Sequence, residues 1–187
     1  MSFYPQGYEP KEETSDYMRL VEGEHRFRIL TDPIIGYEYW TADKKPVRYK
    51  TFKEAVADPN ATKIKEFHGF IVWNYQEEKV MFLNITQKTI QKAIYNYTCD
   101  DDWADPTKYD IVIKRTGTGI DDTEYQVSTK LPKPLDEKAK KAFKDVKIVI
   151  DNYFNDGHPI VRDNNENATT KVMTDEESEA VADSISF

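Results

Sequence analysis

Cysteine occurs once, as Cys99, in the 187 residues. One thiol cannot build an intrachain disulfide framework or a multi-cysteine zinc site, and such sparing use points to a reducing cytoplasm. Long apolar runs are missing too. No window approaches the ~20 apolar residues that cross a bilayer, so no membrane partner is expected. The opening stretch MSFYPQGYEPKEETSD has no basic segment followed by an apolar one, and a secretory signal is not expected. The three histidines, His25, His68 and His158, share no metal-ligand spacing, and no Ser, Cys or His sits in a nucleophile motif. Asp100, Asp101, Asp102 and Asp105 match no calcium-loop spacing and surround a proline turn, so an acidic loop ending a helix fits them better than a metal site. No enzyme activity, metal or cofactor is expected.

Net positive charge is lacking as well. The formal net charge of −8 seems to argue against phosphate binding. It is unevenly placed, however. Residues 163–187 hold seven acids (Asp163, Glu166, Asp175, Glu176, Glu177, Glu179, Asp183) against Lys171 alone, which accounts for six of the eight charges. The acidity belongs mainly to this stretch. What the chain does have is aromatic side chains: at 13% they suffice both to fill a core and to supply flat faces for stacking. Apolar residues at 39% allow one folded domain with appendages.

Residues 1–18, with Pro5, Gly7 and Pro10, read as a flexible arm. In EHRFRIL (24–30), His25, Phe27 and Ile29 alternate with Arg26 and Arg28, the period of a half-buried strand. IIGYEYW (34–40) continues it past Asp32-Pro33, and a long connection covers 41–63. IKEFHGFIVWNY (64–75) and KVMFLNI (79–85) form a hairpin. TQKTIQKAIYNY (86–97) is helical, with Thr86 as N-cap. YDIVIKRT (109–116) and TEYQVST (123–129) make a second hairpin around Gly117-Thr118-Gly119, which lacks the spacing of a phosphate-binding loop. Residues 136–154 form a C-terminal helix. The order predicts a mainly β protein: a five-stranded OB-fold barrel with a helix between strands three and four. A barrel or sandwich of another topology has the same element count. The expected organisation is a 19–131 OB-fold domain, a 132–154 helical segment and a 155–187 disordered acidic tail.

Between the first two strands, Lys44, Lys45, Arg48, Lys50 and Lys53 fall within ten residues that contain no acid, interleaved with Tyr37, Tyr39, Trp40, Tyr49 and Phe52. Cations neutralise phosphates, and aromatic faces stack on unpaired bases. The alternative is a solvated loop over packed aromatics. In the second strand Phe67, Ile71, Trp73 and Tyr75 alternate with His68, Phe70 and Val72. Both faces are apolar, so one is core and the other is open to stacking. Arg26 and Arg28 on the first strand, with Lys114 and Arg115 entering the last turn, add charge.

GEHRFRILTDPIIGYEYW, FHGFIVWNYQEEKVMFLNITQKTIQKAI and YDIVIKRTGTGIDDTEYQVST together resemble the single-stranded DNA-binding proteins of tailed bacteriophages. The resemblance spans roughly the middle two-thirds of the chain. It implies an OB-fold that coats unpaired DNA in replication, recombination and repair, in a bacterial host's cytoplasm; the sequence leaves monomer and homodimer both open. The final stretch resembles the acidic, Phe-ending tails of such proteins. That likeness implies partner binding through Asp175, Glu176, Glu177, Glu179, Asp183, Ile185 and Phe187, although Ser-Ile-Ser-Phe has fewer adjacent acids and no proline. A protein-interaction module of a virion or replisome, with its aromatics packed inside, is the second reading.

Overall fold

Alternating polar and apolar residues set the centre of the fold. The computed structural model describes residues 15–119 and 122–162. In β1 (Gly23–Ile29), Phe27 and Ile29 point into a core while Arg26 and Arg28 take the other face. β1 pairs antiparallel with β4 (Lys65–Asn74) on one side and β6 (Asp110–Thr116) on the other. The chain turns at Asp32-Pro33 into β2 (Ile34–Trp40), which pairs with the same edge of β4 further along, from Ile34↔Gly69 to Glu38↔Lys65. Proline lacks an N–H for the ladder, so a break here is expected. β5 (Lys79–Ile85) takes the opposite edge of β4, and β7 (Glu124–Thr129) lies outside β6. With β3 (Pro46–Tyr49) outside β2, the resulting antiparallel sheet has seven strands, running β3-β2-β4-β1-β6-β7 with β5 on β4. Among the described residues β5 and β7 do not pair, and no closed barrel forms.

Both faces of β4 are buried, by different partners. On the inner side Phe70 and Val72 join Phe27, Ile29, Met81, Leu83, Ile111 and Ile113, closed by Ile90 and Ile94 of α2 (Lys88–Thr98). On the outer side Phe67, Ile71 and Trp73 join Ile34, Val80 and Phe82, covered by Ala139, Tyr153 and Ile160 from the C-terminal segment. Gly36 and Gly69 make room for this layer. A Cβ at Gly69 would lie 2.5 Å from the Phe82 ring, and one at Gly36 would lie 2.6 Å from that of Phe67.

Several expectations are corrected. The connection 41–63 contains β3 (Pro46–Tyr49), paired with β2, and the short α1 (Phe52–Ala57). Thr51 and Glu54 form a reciprocal capping box that starts α1. The sheet therefore has seven strands rather than five. α2 starts after Gln87, which makes no side-chain capping bond, so Thr86 is not its cap. The single helix expected over 136–154 is divided into α3 (Glu137–Lys144), β8 (Lys147–Ile148) and α4 (Ile150–Phe154). Val146, Ile148, Val149 and Ile150 are β-branched and favour extended backbone, and β8 pairs with β9 (Ile160–Val161).

Residues 155–162 thus belong to the fold, not to the tail. Arg162 bonds Asp16 and the carbonyl of Val80, at 2.8 Å for the latter. Residues 15–18 belong to it as well: Tyr17 bridges to Phe82, and Met18 donates to the Phe82 carbonyl. The rest of the N-terminal arm and the acidic stretch from 163, including Asp175, Glu176, Glu177, Glu179, Asp183, Ile185 and Phe187, lie outside the described residues. No helix among those described is long and apolar enough to cross a membrane.

Candidate nucleic-acid interface

Arg26 and Arg28 lie on the outer face of β1, directly across from the start of β6 in the register Arg28↔Asp110. Asp110 is fully buried and collects cations. It accepts from Arg26 Nε at 2.9 Å, Arg28 Nε at 2.7 Å and the Tyr75 hydroxyl at 2.8 Å, with Lys133 Nζ at 3.4 Å. Burial works to raise the Asp110 carboxyl, but hydrogen bonds from Arg26, Tyr75 and Arg28 outweigh it and hold the group below the usual carboxylate range. Burial and the bond to Asp110 push the Tyr75 hydroxyl up to about 12. The Arg26 guanidinium sits 4.6 Å from the Tyr75 ring centroid and Lys133 Nζ 5.4 Å from it.

Three cations on one carboxylate leave two positive charges in excess. Arg28 is buried and structural, since its Nη1 also holds the carbonyls of Thr107 and Lys133 at 3.1 Å each. Arg26 and Lys133 keep 38% and 45% of their side chains exposed, so the excess reaches solvent through them. Lys114 and Lys130 are exposed beside this surface. Residues 15–162 hold 24 Lys and Arg against 24 Asp and Glu, so the body is neutral and local placement decides its surface potential.

The β2–β3 hairpin has two distinct faces. Glu38 and Arg48 share one of them and are packed beneath α4. The Arg48 guanidinium lies 3.9 Å from the Tyr153 ring centroid and 3.3 Å from Glu38. Burial pushes the Glu38 carboxyl up against the opposing pull of Arg48. Lys50 is exposed but pairs with Asp151 of α4 at 2.6 Å. The opposite face carries Ile35, Tyr37, Tyr39 and Tyr49. Asp58, just past α1, accepts the hydroxyls of Tyr39 (2.6 Å) and Tyr49 (2.7 Å) and the Asn60 N–H (2.9 Å). Bonds from Tyr39, Asn60 and Tyr49 hold the Asp58 carboxyl down to about 2, while the same bond and burial push the Tyr39 hydroxyl up to about 12. This clamp fixes α1 on the hairpin. Phe52 is 54% exposed with its ring 5.4 Å from that of Tyr37, and Ile35 and Val56 are exposed on the same part of the molecule. Lys44 and Lys45 are exposed at the hairpin tip.

The predicted stacking residues are thus divided. Phe70 and Trp73 are buried on opposite faces of β4, because α2 closes one face and the C-terminal segment covers the other. Neither ring is open to a base, and β4 is not a one-sided platform. Tyr39 is buried in the Asp58 clamp, and Arg28 and Arg48 are spent on internal partners. Trp40, Tyr49 and Tyr37 are half-buried on the hairpin. His68 bonds Glu66 at 2.9 Å, and Arg115 holds the Leu20 carbonyl at 2.8 Å. Arg26, Tyr75, Lys133, Lys130 and Lys114 are gathered on the β1–β6–β7 side. Sequence reasoning missed Lys130 and Lys133, which lie in the proline-rich break after β7. The Asp100–Asp105 loop is built from turns: Asp100 accepts the Asp102 N–H, and Asp105 the Thr107 N–H, each at 3.0 Å.

Comparison with protein-family models, curated proteins and solved structures finds no match.

Proposed function

We propose that this chain is a non-enzymatic single-stranded DNA-binding protein with an OB-like architecture. What supports this reading of the architecture is the element order: with β1 and β2 taken as one bent first strand and β3 and α1 as an insertion, β4, β5, α2, β6 and β7 follow in the succession expected of an OB-fold, although β5 and β7 do not pair among the described residues. The observation that carries the reading is the cationic excess around Asp110. Arg26 and Lys133 are held beside the Tyr75 ring and stay partly exposed at the margin of the outer layer. Fixed cations neutralise successive phosphates without base readout. Phe52, exposed against the half-buried Tyr37 ring on the opposite face of the sheet, is a separate aromatic surface for unpaired bases. In this reading the acidic stretch 163–187 recruits replication or recombination proteins and adds nothing to the DNA contact.

The second reading, a protein-interaction module, is favoured by the burial of Phe70, Trp73 and Tyr39. Anisotropy of fluorescently labelled oligo(dT) separates the two. Saturable binding by the full chain, retained by a chain lacking residues 163–187, supports DNA binding. An unchanged anisotropy at low salt supports the interaction module instead.

A further inference from the structure

β7 lies at the edge of the sheet, and the orientation of its backbone is fixed by its ladder to β6. Lys130 donates its N–H to the Asp110 carbonyl at 2.9 Å, and the register continues through Val112↔Ser128 and Lys114↔Gln126. In an antiparallel ladder this places the N–H and C=O of the even-numbered residues toward β6. Tyr125, Val127 and Thr129 direct theirs outward. The Val127 carbonyl accepts the Tyr97 hydroxyl at 3.5 Å, the weak limit of such a bond. The three outward N–H groups have no partner among the described residues.

Sheet edges in native proteins are blunted by proline, bulges, inward charges or a covering element. Glu124–Thr129 has no proline, and its pairing with β6 is regular from Ile111↔Thr129 to Thr116↔Glu124. Its inward residues, Tyr125 and Val127, are apolar and pack against the inner core. α2 packs beside β7 and reaches this edge through the Tyr97 hydroxyl at the Val127 carbonyl, while the outward N–H groups stay open, and an edge with open N–H groups is a template for another strand.

We infer that β7 pairs antiparallel with β7 of a second copy of this chain, centred on Val127. That register places Tyr125 opposite Thr129 and Val127 opposite its own counterpart, so the outward N–H and C=O groups of both copies meet. On the solvent face Gln126 falls opposite Ser128, and Glu124 falls opposite Lys130. The sequence EYQVSTK is therefore self-complementary in charge about Val127. Glu124 and Lys130 are both exposed and have no side-chain partner among the described residues. They occupy non-hydrogen-bonded pair positions, where cross-strand side chains approach most closely. The two-fold symmetry forms this ion pair twice, as an isologous interface requires. A single strand-to-strand contact buries little area, so association appears at high protein concentration.

The inference does not rest on nucleic-acid binding, and its test contains none. Sedimentation velocity of the full chain over about a hundredfold concentration range reads the monomer–dimer equilibrium. The unmodified chain is expected to shift from monomer to dimer. Glu124→Lys alone and Lys130→Glu alone each place like charges opposite one another and are expected to weaken the dimer about tenfold. The double variant Glu124→Lys/Lys130→Glu restores the pairs and is expected to regain the dimer. Far-UV circular dichroism confirms that all three variants are folded. A chain that stays monomeric throughout overturns the proposal. So does a dimer indifferent to the single reversals, or a folded double variant that fails to recover association.

Discussion

At Asp110 a single buried carboxylate meets Arg26, Arg28 and Lys133, and the Tyr75 hydroxyl completes its shell. Replacing it with asparagine strands the buried Arg28 guanidinium without its counter-charge. Asp110→Asn is expected to destabilise the fold by about 3–5 kcal/mol in urea denaturation; a loss under about 1 kcal/mol would contradict the structural role. The pH dependence follows from the same contacts. An unfolded aspartate titrates near about 3.9, and folded Asp110 titrates below that. Its stabilisation is therefore complete above that value and drains away as pH falls through the folded value. The asparagine variant should lose that part of the acid dependence. Alternation in EHRFRIL shows that Arg26 and Arg28 share a face. It does not show that their partner stands more than 80 residues away, or that Lys133 completes the group, because those positions depend on tertiary pairing.

The C-terminal segment decides which surfaces stay open. α3, β8, α4 and β9 form a cover over β4 and β5, anchored by Tyr153, whose ring lies 4.5 Å from Phe82 and 5.4 Å from Phe67. Tyr153→Ala is expected to cost about 3–5 kcal/mol by urea denaturation, the usual range for a buried aromatic. A cost near zero would mean the cover is not packed as described. The two hairpins, α2 and the mainly β class were legible from periodicity and turn residues. The cover was not. A helix period over 136–154 hid the β-branched break at Val146–Ile150, and so hid the fate of Trp73. With both faces of β4 apolar, the sequence reads as one core and one stacking face, and the added layer makes both faces core. α1 was equally obscured, since its short turn of helix depends on the Thr51–Glu54 box and the Asp58 clamp rather than on a long apolar period.

Across the whole chain, charge is partitioned rather than averaged. The balanced body, with 24 acids and 24 bases in residues 15–162, carries a local cationic surface, and the acidity is concentrated after residue 162. A net charge of −8 is therefore compatible with a phosphate-binding face. The most direct test is the salt dependence of oligo(dT) affinity for the full chain, followed by anisotropy. Binding through Arg26, Lys114, Lys130 and Lys133 predicts that log K falls linearly with log salt, with a slope of about −2 to −3 at ~0.7 per neutralised phosphate. Lys133→Ala should reduce that slope by about 0.7. Absence of binding at low salt, or an affinity indifferent to salt, would contradict the account.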